Sequence, residues 1–172
     1  MAEGFLNPQQ ILSELNLSKS MVAADFGAGS GGWSIPLAQI LSEGKVFSLD
    51  ILEGPLSALV GKAKLAKIIN IQTQVADVEK DTKILPDSCD LILMTNLLFQ
   101  CENKKAALEE GKRILKKGGK ILLVDWKKSA NFGPRDRAMT LEDIKKIVQE
   151  SGFTIEREFE ASPYHYGLIL VR

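Results

Sequence analysis

Residues 25–32 read DFGAGSGG. Glycines packed this densely after a short apolar run suit a strand-to-helix turn whose backbone must come close to a ligand. Two spacings overlap here. The string from Gly27 to Gly32 satisfies G-x-G-x-x-G, which suits a dinucleotide pyrophosphate at a helix N-terminus. It also contains G-x-G-x-G on Gly27, Gly29 and Gly31, with Asp25 two residues ahead. An extra carboxylate is electrostatically unwelcome beside a pyrophosphate. A ligand carrying an ammonium and a sulfonium would accept it. Asp25 reads equally as a direct contact or as a carboxylate supporting the turn from behind.

Two further acids fall at matching places. Asp50 ends the run KVFSLD, where a carboxylate can accept both ribose hydroxyls of an adenosine ligand. That fits NAD and S-adenosylmethionine alike. Asp77 follows a weaker apolar run; its carboxylate can accept from an adenine amino group while the Val78 N–H meets a ring nitrogen. His165 is the one histidine, between Tyr164 and Tyr166. It is the natural titratable candidate for a general base, and it reads equally as the packed first residue of a strand. Trp126, Phe132 and Tyr164 are candidates to wall a flat acceptor. Lys127, Lys128, Arg135 and Arg137 put basic charge beside them, or form a solvated loop.

These residues need a scaffold that presents strand ends. Asn7-Pro8 starts a short helix carrying Ile11, Leu12 and Leu15. Strands are expected at Met21–Phe26, Lys45–Asp50, within NIQTQVADVE, at CDLILMTN and at KILLVDW. Helices are expected between them: from about Trp33 to Leu41, from Gly54 to Asn70, and from Lys104 to Leu115. The Gly54–Asn70 helix turns Leu56, Leu59, Val60, Ala63 and Ala66 inward. Gly118-Gly119 ends the Lys104–Leu115 helix, with Lys116 and Lys117 complementing its dipole. Residues 127–138 are irregular. A helix capped by Thr140 follows and stops at Gly152. FTIEREFEA and YGLILVR then make a hairpin around Ser162-Pro163, since no helix fits between them. Alternating strands and helices give a mostly parallel sheet, and the 172 residues read as one domain.

Composition removes several function classes. The 22 basic and 22 acidic residues balance, which makes a nucleic-acid partner unlikely. Two cysteines and one histidine are a poor ligand inventory, so no metal site or disulfide framework is expected. Free thiols suit a reducing cytoplasm. MAEGFLNPQQ lacks the charge and apolar run of a signal peptide, and no run reaches membrane-spanning length.

With these marks assembled, the chain resembles the class I S-adenosylmethionine-dependent methyltransferases, closest to the quinone-methyltransferase-like, type 11 branch. The matching stretches are DFGAGSG, FSLD, VADVE, the run from Phe99 to Trp126, and the terminal hairpin. The resemblance implies a three-layer, doubly wound α/β fold: a mostly parallel seven-stranded sheet with an antiparallel C-terminal strand. It implies S-adenosyl-L-methionine as cofactor. Gly27, Ala28, Gly29 and Gly31 would wall the methionine portion, with Asp25 behind them or facing the ammonium. Asp50 would grip the ribose beside Ile51, and Asp77 and Val78 would recognise the adenine edge. Asn96 and Leu97 would lie near the sulfonium through their carbonyls.

The departures narrow the chemistry. TNLLFQ replaces the D/N-P-P-Y stretch of adenine and amide N-methyltransferases. The carboxylate cluster of metal-dependent catechol-type enzymes is missing, and so is a lysine-aspartate-lysine-glutamate set of RNA ribose methyltransferases. A small-molecule acceptor is the expectation. An NAD-dependent oxidoreductase and a non-catalytic module of the same fold remain the alternatives.

Overall fold

The computed structural model describes residues 6–172. The expectation that no signal peptide begins the chain falls largely on residues 1–5, outside the described residues. Twelve elements follow in order: α1 (Pro8–Ser13), β1 (Val22–Phe26), α2 (Ser34–Ile40), β2 (Lys45–Asp50), α3 (Glu53–Leu65), β3 (Ile71–Val75), β4 (Cys89–Thr95), α4 (Lys104–Ile114), β5 (Leu115–Trp126), α5 (Leu141–Glu150), β6 (Thr154–Ser162) and β7 (His165–Val171).

The seven strands form one sheet in the order β3-β2-β1-β4-β5-β7-β6. The first five pair in parallel, and β7 runs antiparallel to both β5 and β6. This is the doubly wound α/β sheet with an antiparallel C-terminal strand. Strand order reverses between β1 and β4, and in such sheets the crevice at that point takes ligands.

Helices cover both faces, which explains the near-continuous apolar strands. Along β4, Ile92 and Met94 join the core with Ala107 and Leu108 of α4 and Ile144 and Val148 of α5. Leu91 and Leu93 join the opposite core with Ile11 and Leu12 of α1 and Leu37 of α2. Leu56 and Leu59 of α3 pack with Ala28 in a smaller cluster touching Ile35 and Ile71.

Three expectations need correction. Helix α4 runs to Ile114, one residue short of the expected Leu115, but Gly118-Gly119 does not end it: Leu115 already has extended dihedrals and pairs with Cys89. Residues 116–119 are an irregularity inside β5, where Gly118 takes φ +73°. Lys116 then pairs with Asp90 rather than with the helix dipole. Helix α3 ends five residues early, at Leu65. Lys67 turns left-handed at φ +55°, and the Asn70 amide donates to the Ala38 and Leu41 carbonyls at the end of α2. Val60 and Ala66 face solvent; the buried stripe of α3 is only Leu56, Leu59 and Ala63.

Candidate active site

The glycine turn leaves β1 at the reversal of strand order. Gly27 and Ala28 N–H groups both donate to the Leu49 carbonyl of neighbouring β2. The left-handed dihedrals fall on Gly27 (φ +74°), Gly29 (φ +52°) and Gly31 (φ +89°). A Cβ on Gly31 would lie 2.3 Å from Leu59 Cδ1, and one on Gly27 would lie 3.0 Å from Leu97 Cδ1. Gly32 has neither a positive φ nor a neighbour within 4 Å of a Cβ. The backbone therefore uses the G-x-G-x-G register; the third glycine of G-x-G-x-x-G is under no constraint.

Asp50, at the end of β2, accepts from the Gly29 N–H at 2.9 Å through Oδ2 and from the Leu52 N–H at 3.0 Å through Oδ1. Asp25 is fully buried behind the turn. Its Oδ2 accepts from Ser34 Oγ at 2.6 Å, and Ser34 is linked in turn to Ser48 Oγ at 2.7 Å. Its Oδ1 has no partner. Burial, helped by the nearby Asp50 charge, pushes the Asp25 carboxyl up to about 7.

A cleft of about 600 Å³ opens in front of the turn. Small-molecule sites fall at roughly 300–1,000 Å³. Its floor and one side are Gly27, Asp50, Ile51, Ala76, Asp77 and Val78; its far side is Leu97 and Gln100–Asn103. Six expected residues thus converge: Gly27, Asp50, Ile51, Asp77, Val78 and Leu97. Ala28, Gly29 and Gly31 shape the turn without lining the cleft. Lys80 pairs with the Asp77 carboxylate at 2.9 Å and, with the Glu79 N–H, holds it below the usual carboxylate range.

Asn96 takes a left-handed φ of +51° directly after β4. Its carbonyl accepts from Gln100 Nε2 at 2.7 Å, and its buried Oδ1 has no partner. The Leu97 carbonyl accepts from the Gln100 N–H. Both carbonyls expected to face the cofactor are thus already engaged inside the turn, that of Leu97 also by the Cys101 thiol at 3.7 Å. Glu79 went unnoticed in the sequence. Its carboxylate accepts from the Glu102 and Asn103 N–H groups, tying the β3 side of the cleft to the start of α4. A glutamate in the polar run ADVEKD carries no signal for that reach.

His165 does not line this cleft. It opens β7, only 2% exposed. Its Nδ1 meets Ser162 Oγ at 2.8 Å, and its ring centroid lies 4.0 Å from that of Trp126. Burial, then the Lys127 charge, lowers it to about 4, so the imidazole is neutral near pH 7. Its Nε2 has no partner. Trp126 is half-buried, with Gly133 against its ring: a Cβ there would lie 2.4 Å away. Phe132 lies 6.0 Å from Trp126 and 5.9 Å from Tyr164, and is exposed.

Residues 24–123 match the methyltransferase domain family. The chain belongs to this family. Its cofactor is S-adenosylmethionine. The site fits that group, with a left-handed glycine cradle, a cleft of suitable size and an unpartnered buried carboxylate oxygen behind the turn. The methyltransferase is 30% identical over 121 residues to a demethylmenaquinone methyltransferase from Staphylococcus aureus, covering 68% of this chain and 48% of that one. It is 28% identical over 159 residues to a fibrillarin-like rRNA/tRNA 2'-O-methyltransferase from Methanosarcina mazei, covering 88% and 67%. The chain therefore spans about half the length of the quinone relative. Its fold matches a methyltransferase structure from Aquifex aeolicus with a TM-score of 0.89 at 23% identity, covering 96% of this chain and 89% of that one. No helix among the described residues is long and apolar enough to cross a membrane.

Proposed function

We propose that this methyltransferase methylates a small, flat acceptor held at the carboxyl end of β5 and the neighbouring amino end of β7. The observation that carries the reading is the exposed Phe132 ring, set between Trp126 and Tyr164. Equal numbers of acidic and basic residues, and the quinone-methylating relative, support it.

In this reading Asp50 and Ile51 hold the ribose and adenine face, and Asp77 with the Val78 N–H reads the adenine edge. The Gly27–Gly31 backbone receives the methionine portion, with Asp25 balancing its ammonium from behind. Asn96 and Leu97 border the sulfonium end. The bound cofactor supplies an already activated methyl group, so the protein's part is orientation and exclusion of water. His165, lowered to about 4, is poorly matched to removing a proton near neutral pH.

The Methanosarcina relative favours a second reading, in which the acceptor is RNA. Radiolabelled S-adenosylmethionine with fractionated cell extract separates the two. Label in small organic molecules supports the first; nuclease-sensitive label supports the second. No incorporation in any fraction defeats both.

A further inference from the structure

Asp125 interrupts the otherwise apolar strand ILLVDW one residue before its end. Its side chain is 2% exposed. A carboxylate buried so deeply is costly unless its oxygens are hydrogen-bonded. Both are. Oδ2 accepts from the Phe99 N–H at 3.1 Å, and Oδ1 accepts from the Trp126 N–H at 2.8 Å.

Those two N–H groups belong to different walls. Phe99 lies in the turn whose Leu97 and Gln100 side chains border the cofactor cleft. Leu97 also fills the space a side chain on Gly27 would need. Trp126 is the base of the aromatic cluster, packed against His165, Phe132 and Gly133. One buried carboxylate therefore joins the cofactor wall to the proposed acceptor wall.

We infer that Asp125 is a positioning residue, which fixes the 97–100 turn and the Trp126 cluster in one register so that cofactor and acceptor meet at a reactive spacing. The acceptor half of this inference rests on the proposed function; the cofactor half does not.

The charged and titratable neighbours are few. Lys104 of α4 is the nearby cation that favours the carboxylate. Cys101, beyond the turn, and Tyr166 of β7 are both pushed up, in part by the Asp125 charge. Burial holds Asp125 itself up at about 6. Protonation turns one acceptor oxygen into a hydroxyl facing an N–H, so one of the two bonds is lost. Holding both walls requires the anion, and it weakens as the pH falls through about 6.

The test compares wild type with Asp125→Asn, which keeps the shape but turns an NH₂ toward one of the two N–H groups. Three readouts are taken: amide hydrogen exchange at Phe99 and Trp126 by NMR, S-adenosylhomocysteine affinity by calorimetry from pH 5 to 8, and kcat and KM. The variant is expected to exchange faster at one or both amides and to lose kcat by about 10- to 100-fold, with a smaller rise in cofactor KM. The part of the fall in affinity and turnover that wild type shows through about pH 6 should be lost, leaving only the fall through about pH 7 that Asp25 contributes. Unchanged exchange with unchanged kcat overturns the inference. So does a loss of kcat that keeps the wild-type pH limb. If the variant does not fold, the wild-type profile decides: no fall in S-adenosylhomocysteine affinity between pH 7 and 5 overturns the inference. If wild type methylates no small acceptor, the proposed function fails, while exchange and affinity still judge Asp125.

Discussion

The Gly29 N–H donates to Asp50 Oδ2 across 2.9 Å, so the glycine turn and the acid ending β2 form one piece before any ligand arrives. Substituting Asp50 by Ala removes a proposed ribose contact and also frees a turn N–H. Hydrogen bonds to charged groups contribute about 1.5–3 kcal/mol. The Kd for S-adenosylhomocysteine should therefore rise by roughly 10- to 100-fold in calorimetry. Unchanged affinity would move the ribose away from Asp50.

The two glycine registers differ in which third glycine is indispensable. Gly31 has φ +89°, and a Cβ there would meet Leu59 Cδ1 at 2.3 Å. Gly31→Ala should lower unfolding stability by about 1–3 kcal/mol through backbone strain and overlap. Gly32→Ala, with open space and ordinary dihedrals, should stay within about 0.5 kcal/mol of wild type. Urea denaturation of both variants checks the pair; a reversed order would restore the dinucleotide register.

The sheet was legible because its signals are local. Apolar runs, the acid ending β2 and the one just past β3, and a helix-free gap before the last strand all read directly from the chain. Gly118-Gly119 misled because a helix stop and a strand irregularity use the same residue. What separates them is Leu115 pairing with Cys89, a contact no local pattern encodes. Val60 was placed inward by its type, but only a narrow stripe of α3 meets the sheet. Within the site, Gly27, Asp50, Asp77 and Val78 stood out by spacing. The Glu79 and Asp125 bonds did not, since each links segments far apart in sequence.

Asp25 gives the protein a pH signature. Its folded-state carboxyl sits near 7, against an unfolded value near 3.8, because burial disfavours the charge. The folded state thus holds a proton that the unfolded state has lost. This stabilisation is complete below about pH 4 and disappears as the pH rises through about 7. Asp25→Asn keeps a neutral side chain at every pH. Comparing urea midpoints at pH 5 and 8, without cofactor, wild type should lose more stability than the variant. Parallel losses would mean that Asp25 is already ionised at pH 5.

Glu79 ties the two sides of the cofactor cleft through the Glu102 and Asn103 N–H groups. Glu79→Ala removes both acceptors while leaving the floor of the cleft in place. Two hydrogen bonds at a net of about 0.5–1.5 kcal/mol each correspond to S-adenosylhomocysteine binding weakened by at least roughly 5-fold and by at most about 150-fold. Glu79→Gln retains one acceptor oxygen and should fall between. An alanine variant with wild-type affinity and dissociation rate would show that the tie does not set the width of the cleft.

The acceptor wall can be disturbed without touching the cofactor. Gly133 takes φ +101°, and a Cβ there would lie 2.4 Å from the Trp126 ring. Gly133→Ala must therefore shift the loop that carries Phe132. Phe132→Ala removes the exposed ring and leaves the loop backbone free to keep its path. Both variants should bind S-adenosylhomocysteine as wild type does, because neither residue borders the cleft. Both should raise the acceptor KM in steady-state methyl transfer, Phe132→Ala by about 10-fold if burying a ring contributes its usual ~1.5–3 kcal/mol only in part. Weakened cofactor binding with an unchanged acceptor KM would place the acceptor elsewhere on the sheet's carboxyl rim.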